Sequence, residues 1–346
     1  MVRKQTEPNV DAWWEEQEQR QGRALRNRKV GAIALSAALV IVTALLVLRE
    51  SQVTDQRKET ERPASSGVAL PVRQGLYFLD LETGRVTSGP RFAGISARQL
   101  AVSPDGSRVA YVGIDKEIRD VIFVADIDGT NRRPLAGAAT TGTLMSPHWS
   151  PDGALITYQA KDKGLYVGDL FVVDVTTGRA TRLTDLDRAS SPLYDMAPTF
   201  SPDGEAVLFT WPRGELGHQI WDLWSVPVSG GKPTLVRRDA ALGSLSPDAR
   251  TIAYLQVLRT GSVRSGDLWL ADADGTDARP LVTGELVAAR WSPDGTRIAY
   301  ADRGRVGTYI VDVGTGETTR VLDDPSWPEW LDDHTLIFDV GDSPSE

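Results

Sequence analysis

Two hydrophobic patterns divide this chain. Residues 30–48 read VGAIALSAALVIVTALLVL, an uncharged run in which only Ser36 and Thr43 are polar. At 1.5 Å per residue such a run spans about 28 Å, close to the hydrocarbon thickness of a bilayer. It predicts a single membrane-spanning helix. From residue 74 onward the apolar positions come in short runs instead. In Thr296, Arg297, Ile298, Ala299 and Tyr300 apolar and polar residues take turns, which is strand chemistry. Before the span, residues 11–29 are rich in helix formers and predict a short cytoplasmic helix or a frayed tail. After it, residues 49–73 are polar and read as a linker.

The strand-like region repeats itself. Ser-Pro-Asp-Gly recurs as Ser103, Pro104, Asp105, Gly106; as Ser150, Pro151, Asp152, Gly153; as Ser201, Pro202, Asp203, Gly204; and as Ser292, Pro293, Asp294, Gly295. A fifth copy, Ser246, Pro247, Asp248, carries Ala249 in place of glycine, and a sixth, PEWLDDHTLIFDV (328–340), keeps only the surrounding pattern. Proline presets φ for the second turn position, aspartate bonds neighbouring amides, and glycine tolerates positive φ. Each motif is therefore a strand, a tight turn and a strand. Between the motifs lies a second such unit, for example LFVVDVTTGRATRLT (170–184) and LWLADADGTDARPLV (268–282).

One period is four antiparallel strands in about 45 residues, the signature of a propeller blade. There are six copies of each half-blade. The series opens with an orphan second hairpin (76–87) and closes with an orphan first hairpin (328–340). Pairing these two completes a blade and removes an exposed edge. The expected fold is all-β: a six-bladed β-propeller over residues 74–341, with the N- and C-terminal segments completing one blade. A single transmembrane α-helix precedes it, and residues 342–346 form a short tail.

The charge changes what the span means. The whole chain carries −9, but residues 1–49 hold eight basic and five acidic residues, leaving −12 on the remainder. Arg20, Arg23, Arg26, Arg28 and Lys29 crowd the N-terminal side of the span. By the positive-inside rule the N-terminus lies in the cytoplasm and the propeller outside the plasma membrane. A cleaved signal peptide would have a shorter apolar core followed by small residues, whereas LRESQVTDQ follows here. An uncleaved signal-anchor is the better reading. The acidic body disfavours nucleic acid as a partner. With no cysteine in the chain, a disulfide framework and thiolate chemistry are ruled out together.

These repeats resemble the TolB-like, WD40-like propeller repeat. That pattern joins Ser-Pro-Asp-Gly to an Ile-Ala-Tyr strand and then to a Leu-Trp-x-x-Asp strand. The resemblance covers the propeller and not the first seventy residues, and it speaks to fold more than to function.

Candidate chemistry is sparse. The five repeated aspartates sit in equivalent turns spread round a ring, so they read as turn structure. The same propeller type precedes a hydrolase domain in prolyl-oligopeptidase-like enzymes, but Gly-x-Ser-x-Gly does not occur. His148, His218 and His334 fall in three different blades without metal-ligand spacing and read as packed or surface residues. Trp149, Trp269 and Trp291 occupy repeat positions and are expected between blades. No catalytic residue, metal site or cofactor is expected.

Recognition is expected on the loops opposite the Ser-Pro-Asp-Gly turns, where the repeat varies: 113–120, 160–168, 185–197, 210–222 and 257–266. Candidate residues there are Asp115, Lys116, Arg119, Tyr194, Asp195, Trp211, Arg213, His218, Arg259 and Arg264. The reading preferred is a membrane-anchored binding or scaffolding module whose loop face takes a protein, peptide or glycan. The alternatives are a transmembrane sensor relaying through residues 1–29 with Trp13 and Trp14, and a funnel-site enzyme such as a metal-dependent lactonase or glycan hydrolase.

Overall fold

The computed structural model describes residues 67–68, 75–90, 100–115, 119–137, 143–161, 168–186, 196–213, 220–257 and 265–340. The chain divides into two units, 1–62 and 63–346, and every described residue belongs to the second. The tail 1–29, the span 30–48, most of the linker 49–73 and the tail 342–346 lie outside the described residues. Among the described residues no helix is long and apolar enough to cross a membrane.

The described residues form strands and no helix. β1 (Gly75–Asp80) and β2 (Val86–Ser88) open the chain. β3 (Leu100–Val102), β4 (Arg108–Ile114), β5 (Asp120–Asp126) and β6 (Arg133–Gly137) make a four-stranded antiparallel sheet. β7 (Thr143–Trp149), β8 (Leu155–Lys161), β9 (Asp169–Asp174) and β10 (Ala180–Arg182) make the next. β11 (Thr199–Phe200), β12 (Ala206–Arg213), β13 (Ile220–Pro227) and β14 (Thr234–Arg237) make a third.

β15 (Ala240–Leu245), β16 (Thr251–Val257), β17 (Gly266–Asp272), β18 (Arg279–Trp291), β19 (Arg297–Asp302), β20 (Gly307–Asp312) and β21 (Thr318–Leu322) form one seven-stranded sheet. The long β18 joins its two halves: Pro280 pairs with Trp269 of β17, while Trp291 pairs with Ile298 of β19. β22 (Glu329–Asp332) and β23 (Thr335–Val340) then return to β1, in the order β2-β1-β23-β22. The register runs from Gly75↔Val340 to Asp80↔Thr335. The two orphan hairpins thus complete one sheet from both ends of the domain.

The apolar clusters lie between neighbouring sheets. Leu144, Trp149 and Ile156 pack on Ala110, Val112 and Ile122 of the sheet before. Leu79, Leu336 and Phe338 of the closing sheet pack on Ala299, Ile310 and Leu322, and its Leu76 and Ile337 pack on Leu100, Val109 and Tyr111. The closing sheet is therefore sandwiched on both sides, and the array is a ring.

This stacking buries the second strand of the motifs on both sides: Ile298, Ala299, Tyr300, Ala301 and Asp302 are all buried, as are Val109–Val112. Sheets stacked face to face leave their middle strands no solvent side, as in other doubly covered strands.

The Ser-Pro-Asp-Gly segments are tight turns. The fourth residue donates its N–H to the serine carbonyl at 2.8–2.9 Å in all five copies. The serine hydroxyl donates to aspartate Oδ1 at 2.5–2.6 Å and accepts an amide five residues on at 2.8–3.0 Å. All five serines are buried. The glycines take φ of +68° to +75°, and Ala249 is forced to +60°.

Tryptophans tie sheet to sheet. Trp149, Trp291 and Trp330 donate Nε1–H to Ala101, Ser244 and Arg290 carbonyls on the preceding inner strands, at 3.0–3.2 Å. Trp269 packs in the cluster that joins Leu208 and Leu223 to Ile252 and Tyr254, so it too lies between sheets. Val68 adds a parallel bridge to Leu322 at the outer edge of β21.

Candidate functional site

Turns alternate between the two ends of an antiparallel meander, so the connections from second to third strand share one face with the sheet-to-sheet connections. Carboxylates at the start of third strands hold this face in place. Asp120 accepts the Leu144 amide at 3.1 Å, Asp169 the Leu186 amide at 3.1 Å, Asp222 the Asp239 amide at 2.9 Å and Asp267 the Gly284 amide at 3.0 Å. Three of these bonds reach from a third strand to the chain entering the next sheet, and the Asp267 bond reaches the middle of β18, where the two halves of the seven-stranded sheet meet. In β20, Thr308 takes over with its hydroxyl, set 2.8 Å from the Asp324 carbonyl and 3.0 Å from that of Ser326. The recurrent DVIF, DLF and DLW sequences were the signal for these staples.

The described candidates are woven into this frame. Asp115 and Arg119 pair with each other at 2.7 Å across their own hairpin end. Arg213 bonds Asp222 at 2.8 Å and Asp239 at 2.7 Å, so it braces one staple. Trp211 packs against the cluster of Phe200, Val207 and Phe209. Lys116, Tyr194, Asp195, His218, Arg259 and Arg264 lie outside the described residues. The turn aspartates stay apart: Asp105, Asp152, Asp203 and Asp248 are held below the ordinary carboxylate range chiefly by their serine hydroxyls. Asp105 falls to about 2. At Asp294 burial pushes upward and is outweighed by bonds from Ser292 and Thr296. Among the described residues no three His, Asp or Glu side chains gather closely enough to hold a metal.

A second feature lies on the axis. The inner strands surround a cavity of about 30 Å³ lined by Ser146, His148, Thr199, Arg290, Trp327 and Glu329, among others. That volume has room for about two water molecules. Arg290 Nε donates to Glu329 at 2.9 Å from one sheet to the next, and its Nη1 donates to the Ala289 carbonyl at 3.0 Å. His148 keeps some surface on the cavity but sits deep in the ring, and its Nδ1 is sealed from solvent with no hydrogen-bond partner. Depth, and then the Arg290 cation, lower its imidazolium to about 4, so the ring is neutral at pH 7. Ser146 and Ala197 hold positive φ of +50° and +44° on two walls, and β7 bulges between Met145 and His148.

The sequence pattern had His148 as a packed or surface residue and passed over Arg290 and Glu329. His334, by contrast, is a surface residue beside Glu82. A register signal was available for the axis. The residue two before the motif serine is Ala101, His148, Thr199, Ser244 or Arg290, and Glu329 holds the same place in the sixth copy. One register of a repeat faces one place in a ring, and here that register varies while its tryptophan neighbours recur.

Comparisons with known proteins agree on the fold. Residues 99–264 match the family model of the TolB beta propeller domain. The Tol-Pal system protein TolB of Xylella fastidiosa is 30% identical over 136 residues, 32% of this chain and 30% of that protein. An uncharacterized peptidase, YuxL, of Bacillus subtilis is 28% identical over 190 residues, 53% of this chain and 27% of that protein. The match therefore spans about a third or less of these curated relatives. A putative TolB structure from Agrobacterium tumefaciens superposes with a TM-score of 0.60 at 18% identity, covering 77% of this chain and 97% of that one.

Proposed function

This chain carries a TolB-like β-propeller, and from that premise we propose that it is a non-enzymatic binding or scaffolding module of the cell envelope. In this reading the propeller has six blades, the seven-stranded sheet counting as two that share β18. Residues 30–48 anchor it in the plasma membrane with the N-terminus in the cytoplasm. The loop face takes a protein, peptide or glycan, and Asp115, Lys116, Arg119, Tyr194, Asp195, Trp211, Arg213, His218, Arg259 and Arg264 are the residues expected on or behind it.

The observation that carries the reading is the stapled rim. Asp120, Asp169 and Asp222 fix the chain entering the next sheet and Asp267 fixes the middle of β18, so loops of varied sequence are displayed from one rigid frame. The relatives' standing as Tol-Pal system proteins supports an envelope role. The test is crosslinking in membranes of the producing cell, followed by capture of the full chain. A partner should be recovered with the wild type. It should be lost when loops 113–120, 185–197 and 210–222 are replaced by Gly-Ser segments of equal length in a protein that still unfolds cooperatively. Recovery unaffected by all three replacements would refute the loop-face reading.

A further inference from the structure

The axial register is where the repeat stops repeating. Trp149, Trp291 and Trp330 keep the same bond round the ring, while the residues just before them are His148, Arg290 and Glu329. A packing role would favour small or apolar residues at that position, as at Ala101. Instead the position supplies an imidazole, a guanidinium and a carboxylate to one cavity. The bulge before His148 and the positive φ of Ser146 give its strand an irregular path there, and bulges are enriched beside functional sites.

We propose that the axial cavity is a carboxylate-binding site, in which Arg290 donates hydrogen bonds to the bound group and His148 lines the cavity beside it. Arg290 already holds one carboxylate, Glu329, and three of its five N–H donors have no acceptor among the described residues. Its planar fork matches a planar carboxylate. The neutral imidazole of His148 lines the same cavity, but its Nδ1 is sealed from solvent, so the ring senses the bound group as a neighbour and does not hold it through that atom. Glu329 competes for the same guanidinium, so binding is weak, in the millimolar range. The site is independent of the loop face and stands or falls separately.

The test is nitrogen NMR of histidine in the full chain in detergent. The chain has three histidines, so His218→Gln and His334→Gln spectra assign His148. Acetate is the probe and acetamide its neutral isostere, with sodium chloride at matched ionic strength. Saturable acetate shifts at His148, absent with acetamide and chloride, support the site. Glu329→Gln frees the guanidinium and should tighten acetate binding at least threefold. Arg290→Gln should abolish it in a protein whose His334 signal remains native. A tripeptide with a free C-terminus distinguishes sources: tighter than acetate and lost on amidation means the end of a larger ligand, weaker than acetate means a free small acid. No acetate shift up to 100 mM, equal shifts with acetamide, or a Glu329→Gln protein that binds no better would each overturn the proposal.

Discussion

Ala249 offers a clean measurement of what the repeated turn requires. Four of the five turns place glycine at φ near +70°, and the fifth holds Ala249 at +60°. A Cβ in the left-handed region costs roughly 1–2 kcal/mol. Glycine returns some of that, because its unfolded chain is freer by about 0.4–1 kcal/mol. Ala249→Gly should therefore stabilise the propeller by about 0.5–1 kcal/mol, a rise of about 2 °C in Tm for a domain of this size. The reverse change separates backbone cost from crowding. At Gly204 an added Cβ meets nothing nearer than Pro151 Cδ at 3.9 Å, so Gly204→Ala should lose only the same backbone increment. At Gly106 it would sit 3.2 Å from Leu331 Cδ1 and 3.4 Å from the Leu331 carbonyl, so Gly106→Ala should lose about 1 kcal/mol more. Urea unfolding of the full chain in detergent, followed by tryptophan fluorescence, gives all three values. If Ala249→Gly destabilises, or if Gly204→Ala and Gly106→Ala cost the same, the turn geometry argued from φ and from Leu331 is wrong.

Other expectations follow from the same contacts. Asp222→Ala leaves the Asp239 amide and the Arg213 guanidinium without their buried acceptor, and should cost about 2–4 kcal/mol by urea unfolding; Asp222→Asn, which keeps an acceptor, should cost less. His148 titrates near 4 in the fold and near its ordinary 6.5 when unfolded, so stability should fall as pH drops from about 6.5 to 4 by on the order of 3 kcal/mol; His148→Gln should flatten that slope and His334→Gln should not. Asp105 titrates near 2 when folded and near 3.8 otherwise, so its contribution is present above about pH 4 and lost as pH falls towards 2; Ser103→Ala should move acid unfolding to higher pH. Trp149→Phe removes the Nε1–H bond to Ala101 while keeping a ring, and should cost about 1 kcal/mol in the same unfolding assay.

The fold was legible because its information is local and repeated. A turn such as Ser150-Pro151-Asp152-Gly153 states its geometry in four residues, and five near-copies reinforce one another. Closure was legible by counting: the unpaired hairpins at 76–87 and 328–340 had to meet, and β1 does pair with β23 along its whole length. The double burial of strands such as β19 was not legible, because alternation describes one sheet and not the sheets stacked on it. The staples at Asp120, Asp169, Asp222 and Asp267 were visible only as part of a strand pattern. Their partner amides belong to the next repeat, 17 to 24 residues on.

The site asks for the opposite kind of reading. In a repeat protein the conspicuous motif is the part every blade needs to fold, so its chemistry belongs to the scaffold: five buried serines, five turn aspartates and a series of indole N–H bonds. Ligand chemistry has to enter where the copies differ at a fixed register, because only there is one blade free to depart from the others without breaking its fold. His148, Thr199, Arg290 and Glu329 meet that condition and line one cavity, although they are 51, 142 and 181 residues from the first of them in the chain. Arg213 shows the converse. It stands in a variable loop sequence, yet it braces Asp222 and Asp239, so variation alone does not mark a ligand contact. Variation within a register that topology converges on one point is the stronger signal, and in this chain that point is the axis of the ring.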